Sequence, residues 1–291
     1  MASIETPSGK VAGEENFPVG SRLIRAELRP HIHAFYQFAR TADDIADNPS
    51  LAPAEKIGRL DQMAAALNGA ATSASPAATQ MHASLGATAM PPQHCLDLLQ
   101  AFRTDATKLR YANWSELMTY CRYSATPVGR YVLDLHGECR DTWPASDALC
   151  AALQVINHLQ DCGKDYRALD RVYLAGDAVA AANTDVAALA APRASAALRS
   201  VIVGMARRTQ RLLNKSAGLA AQVHDRRLAY EVALIQRLAE GLTARLITHD
   251  PLGERVHHRP LEVVGLAILA GKDQIAGRRR PSGQERARRP E

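Results

Sequence analysis

Two groups of aspartates carry a spacing that suits cation and diphosphate chemistry. They are Asp43 and Asp47 in FYQFARTADDIAD, and Asp161 and Asp165 in NHLQDCGKD. On a helix turning about 100° per residue, Arg40, Asp43 and Asp47 fall at about 40°, −20° and 20° from Tyr36. Tyr, Arg and two Asp thus share one narrow stripe, while Ile32, Phe35, Phe38, Ala39, Ala42 and Ala46 cover much of the rest. A helix apolar nearly all round is usually buried, and burying carboxylates is costly without a compensating cation. Asn157, Asp161 and Asp165 advance about 40° per step and form a second stripe on a helix packed by Leu149, Leu153, Val155, Ile156 and Leu159. Magnesium takes octahedral oxygen ligands and often completes its shell with substrate phosphate. Two facing carboxylate pairs with arginines nearby (Arg40, Arg171) would clamp a diphosphate and neutralise it as its C–O bond breaks.

Each stripe alone has a plainer reading. The first is then an Arg40–Asp43 ion pair with Asp44 and Asp47 solvated at a helix end, and the second an ordinary amphipathic face. The plainer reading leaves aspartates near a helix C-terminus, against the macrodipole, unexplained. Both stripes in one chain, each beside an arginine, favour the clamp.

Such stripes need helices, and helix signals dominate. Pro30 suits the first turn of a helix that Asn48-Pro49 stops. Further helices are expected at about 53–68, 92–108, 113–124, 127–137, 146–167, 192–222, 225–249 and 260–271, punctuated by prolines. No long alternating Val/Ile/Thr run indicates strands. Segment 69–79, GAATSASPAAT, reads as a loop. The expectation is a single all-α domain over residues 21–271, after an irregular lead-in at 1–20 and before a basic, disordered tail at 272–291.

The 291 residues are 47% hydrophobic and 22% charged, ordinary for a globular protein with a sizeable core. No run approaches a membrane span and no secretory signal is visible, so a cytoplasmic protein is expected. Five cysteines without CxxC spacing read as reduced thiols. The net charge of +5 is concentrated: residues 278–291 hold six arginines against two glutamates. That tail reads first as a solvated segment, with weak attraction to an anionic membrane surface as the functional alternative; it lacks interleaved aromatics, so a nucleic-acid partner is not expected.

The segments EENFPVGS (14–21), FYQFARTADDIAD, YCRYSATPVGR (120–130) and NHLQDCGKDYRALDRVYL (157–174), in that order and followed by long helices, resemble the squalene/phytoene synthase family. The resemblance implies an all-helical class I isoprenoid synthase fold around a central cavity, with the aspartate motifs on opposing walls. It implies that Asp43, Asp47, Asp161 and Asp165, assisted by Asn157, bind magnesium. Tyr36, Arg40 and Arg171 would contact diphosphate or orient the aspartates, Phe17 would line the site, and Tyr120 would look into the cavity. Gly129 would let its helix approach a neighbour closely. ENFPVGS and THDPLGERV look most like the bacterial hydroxysqualene synthase branch of hopanoid biosynthesis, which ionises presqualene diphosphate, rearranges the cation and traps it with water, without NADPH. His33, His136 or Tyr120 would orient that water. Condensation of two farnesyl or geranylgeranyl diphosphates, giving presqualene diphosphate or phytoene, is the alternative reaction; a non-catalytic scaffold is the alternative class. Lys164 and Asp170 depart from the family pattern without removing a presumed ligand.

Overall fold

The computed structural model describes residues 4–5, 23–70 and 75–277, with backbone alone for 272–277. Phe17, the ENFPVGS segment and most of the basic tail lie outside the described residues. The chain folds through α1 (Arg29–Asp47), α2 (Pro53–Leu67), α3 (Pro76–Thr88), α4 (Gln93–Asp105), β1 (Arg110–Tyr111), α5 (Trp114–Ser124) and α6 (Thr126–Leu135). The long α7 (Trp143–Leu169) is followed by β2 (Val172–Ala175), α8 (Gly176–Ala181), α9 (Ala196–Ser216), α10 (Leu219–Gln222), α11 (Arg226–Thr248) and α12 (Pro260–Gly277). The all-α expectation stands, and the local signals that carry it are visible. Pro30 sits in the first turn of α1, and Asn113, Ser195 and Asp225 cap α5, α9 and α11 with side-chain acceptors.

Four details differ from the sequence expectation. Residues 76–79, read as loop, open α3; Ser75 accepts from the Ala78 N–H and Pro76 occupies the first turn, a capping signal masked by the small-residue composition. The stretch 192–222 is two helices, separated near Gly218. α12 continues past 271 to Gly277. Two short parallel strands exist: Arg110 pairs with Val172. All four residues of β2 are buried, so the period-2 alternation that reveals a strand is missing.

Two apolar clusters hold the molecule together. One gathers Phe35, Phe38, Ile45, Leu60, Met63, Met81, Leu98 and Tyr131 from α1–α4 and α6. The other packs α5, α7, β2, α9 and α11 around Leu117, Val155, Ile156, Leu159, Ile202 and Leu242. Helix α7 lies against α5, α6, α9 and α11. Where α6 meets it there is no room for a side chain: a Cβ on Gly129 would stand 2.5 Å from Ser146 Oγ and 2.6 Å from Cys150 Sγ.

Candidate active site

Helices α1 and α7 line the same two cavities, presenting mostly apolar side chains to one from their early turns and polar side chains to the other from their late ones. Beside the early turns, Ile32, Phe35, Tyr36 and Ala39 face Leu149, Cys150 and Leu153 around a cavity of about 330 Å³, with Val128 and Val132 of α6 and Leu228, Glu231, Val232 and Ile235 of α11 completing the wall. Beside the late turns, Arg40, Asp43 and Asp47 face Asn157, His158, Asp161, Lys164 and Asp165 around a second cavity of about 560 Å³. Phe102, Asp105, Tyr120, Ser124, Gln154, Arg171 and Tyr173 also line it. Of the residues singled out from sequence, Arg40, Asp43, Asp47, Tyr120, Asn157, Asp161, Asp165 and Arg171 therefore converge on the polar chamber. Tyr36 lines the apolar one, a helical turn away.

The aspartates of α1 are not left in solvent. Arg40 Nη1 lies 3.0 Å from Asp43 Oδ2, and its Nη2 donates at 2.7 Å to Oδ1 of buried Asp44. Asp47 accepts at 2.7 Å from Arg171 Nη1. Arg171 is buried and also donates to the carbonyl oxygens of Asp105 (3.2 Å) and Ala46 (3.5 Å). It thereby ties the ends of α1 and α4 to the start of β2 and fixes the Asp47 carboxylate. Lys56 Nζ, 2.8 Å from the Ala46 carbonyl, adds a cation at the negative end of α1.

On the opposite wall, burial and the neighbouring Asp161 and Asp47 carboxylates push Asp165 up to about 7. Crowded carboxylates that resist ionising together mark a place where a cation would be welcome. Among the described residues no three acidic, His or Cys side chains converge as a complete metal cage. The donor set fits the other pattern: magnesium held by one or two carboxylates from each wall, with phosphate oxygens filling the remaining positions. Asp43, Asp47, Asp161 and Asp165 would hold it. A buried donor, Arg171 Nε, has no hydrogen-bond acceptor in the structure, as expected where an anion belongs.

Sequence reasoning missed part of this chamber. Asp105, at the end of α4, accepts hydrogen bonds from Tyr120 Oη (2.8 Å) and Tyr173 Oη (3.1 Å). Burial raises it to about 6, offset partly by Arg171. His158 stacks on Tyr173 with ring centroids 3.5 Å apart. Burial lowers it to about 3, so its ring stays neutral across the physiological range. A lone aspartate in RTDATK gives no spacing signal, because its partners come from α5 and β2. Two histidines offered from sequence are placed elsewhere: His33 is exposed, and His136 Nδ1 donates to its own helix at Val132 O (2.8 Å). Neither lines a chamber.

The departures from the family pattern also find a place. Asp170 terminates α7 in the left-handed region at φ 50°, where a glycine would be unstrained, and its side chain pairs with Arg110 at 2.6 Å. Lys164 is exposed and lines the polar chamber, adding a cation to the wall that holds Asp161 and Asp165.

Comparison with known proteins gives the family and the fold. The family model described as squalene/phytoene synthase matches residues 11–262. A hydroxysqualene synthase of Zymomonas mobilis is 50% identical over 270 residues, covering 92% of this chain and 91% of that one. One of Rhodopseudomonas palustris is 50% identical over 274 residues, 94% of each chain. The crystal structure of squalene synthase HpnC from Alicyclobacillus acidocaldarius superposes with a TM-score of 0.66 at 28% identity, over 89% of this chain and 88% of that one. A dehydrosqualene synthase in complex with ligand gives a TM-score of 0.74 at 19% identity, covering 90% and 93%, which bears on the fold alone. The chain belongs to the squalene/phytoene synthase family.

Proposed function

We propose that this protein is a magnesium-dependent hydroxysqualene synthase, converting presqualene diphosphate and water into hydroxysqualene and diphosphate in hopanoid biosynthesis. The observation that carries the reading is a pair of chambers that share α1 and α7 as walls: an acidic, arginine-lined one suited to diphosphate, and an apolar one suited to a hydrocarbon. The near-equal lengths and half-identical sequences of relatives named hydroxysqualene synthase support the choice of reaction.

Substrate binding places the diphosphate between the two aspartate walls, with Arg171 fixing Asp47 and Arg40 fixing Asp43. Magnesium, when bound, supplies positive charge that stabilises the departing diphosphate. The C–O bond electrons leave with that group, and the cyclopropylcarbinyl cation remains against walls that are largely apolar. Tyr120 and Tyr173 hold the inner side of the polar chamber through Asp105, and neutral His158 adds an aromatic face without adding charge. Rearrangement and attack by water then give the alcohol. The sequence of steps is redox-neutral, so NADPH is not required.

No helix among the described residues is long and apolar enough to cross a membrane. A peripheral contact with the inner membrane is part of the proposal, since substrate and product are lipids. The outer face of α12, where Leu261, Val264 and Ile268 are exposed, supports it, as do the arginines that follow in the sequence.

The test is incubation of purified protein with magnesium and either presqualene diphosphate or farnesyl diphosphate, without NADPH, followed by mass spectrometry of the lipid extract. A hydroxylated C30 alcohol from presqualene diphosphate, lost in Asp47→Ala and Asp161→Ala, is expected. Presqualene diphosphate formed from farnesyl diphosphate would instead assign the condensation step. No turnover of either substrate by folded protein would turn the question to longer prenyl diphosphates or a non-catalytic role.

A further inference from the structure

Among the described residues lining the apolar chamber, one is charged: Glu231 of α11. It stands on the wall formed by Leu228, Val232 and Ile235, opposite α1 and α7, and only 4% of it is exposed. The other polar groups facing this chamber are weaker bases: the Tyr36 phenol, the Ser146 hydroxyl and the Cys150 thiol, which burial pushes up to about 11. Tyr120, His33 and His136 do not line it.

We propose that Glu231 is the general base of water capture, a role that rests on the hydroxysqualene reading above. Its carboxylate accepts a hydrogen bond from a water molecule beside the C30 cation. The water oxygen donates the electron pair of the new C–O bond, one of its protons passes to Glu231, and the other remains on the product hydroxyl. The diphosphate has already left with the electrons of the broken bond, and Glu231 returns its proton to solvent before the next turnover. Keeping the base in the apolar chamber, away from the leaving group, directs capture to water and a single face of the cation.

The experiment uses full-length protein with magnesium and presqualene diphosphate, and measures diphosphate release alongside the lipid products. In Glu231→Gln, hydroxysqualene formed per diphosphate released is expected to fall about a hundredfold, the scale of a lost general base. Hydrocarbons formed by proton loss from the cation would take its place. Glu231→Asp should give an intermediate ratio, and remains informative if Glu231→Gln does not fold. An unchanged ratio in both variants overturns the proposal, whatever happens to the overall rate or the melting temperature. Wild-type protein that releases diphosphate without making hydroxysqualene would fail the functional reading itself, which is a separate outcome.

Discussion

The apolar and polar chambers are lined by the same two helices, yet they stand in opposite relation to the stability of the fold. Around the apolar chamber, burial of Ile32, Phe35, Leu149 and Val232 stabilises the protein whether or not a substrate is present. Around the polar chamber, Asp105 and Asp165 are raised to about 6 and about 7, so ionising them at neutral pH opposes folding. The first chamber is part of the core with a gap in it. The second is a stored electrostatic strain that ligand binding would relieve. Mutations should therefore separate the two: damage to one costs stability, and damage to the other costs turnover.

The largest effect should come from Asp161→Asn. Turnover of presqualene diphosphate is expected to fall at least about a thousandfold, with the melting temperature unchanged or raised. A steady-state assay showing less than a tenfold loss would remove the polar chamber from catalysis. Phe35→Ala should show the converse. Phe35 is buried and stacks on Tyr131 with centroids 4.0 Å apart, and its truncation should cost about 3–5 kcal/mol in denaturant unfolding. A variant as stable as wild type would mean the apolar chamber is not core-like.

Asp165→Asn sharpens the contrast through pH. Folding raises the pKa of Asp165, so the group favours the folded state below the ordinary carboxylate range and opposes it increasingly as pH climbs toward about 7. In EDTA near pH 8 the variant should melt about 2–4 °C higher than wild type, with the gain shrinking as pH is lowered toward 4. The same variant should lose the melting increase that magnesium with diphosphate gives the wild type. Asp170→Gly should have the smallest effect. Relief of the left-handed backbone offsets the lost pair with Arg110, leaving stability within about 1 kcal/mol by thermal unfolding.

What could be read in advance followed from local periodicity. The stripes on α1 and α7, and most of the helices, obey spacing rules that a single segment contains. Asp105, Tyr173, His158 and Glu231 could not be found in that way. None of them belongs to such a stripe, and each acquires meaning only from groups brought up by other elements. Helix α3 was obscured by its small residues, although Ser75-Pro76 announced its start. Strand β2 was obscured because both of its faces are buried.

The bond from Arg171 to Asp47 spans 124 positions of sequence. Asp47 acquires its final orientation only after α1 has been met by a segment made much later in translation, so the diphosphate site is among the last features the folding chain can complete. Closing so long a loop is slow and entropically costly. An incomplete chain released before β2 would carry the first aspartate motif without the residue that aims it. Affinity for diphosphate is in this way a report on whether the two halves of the chain have come together.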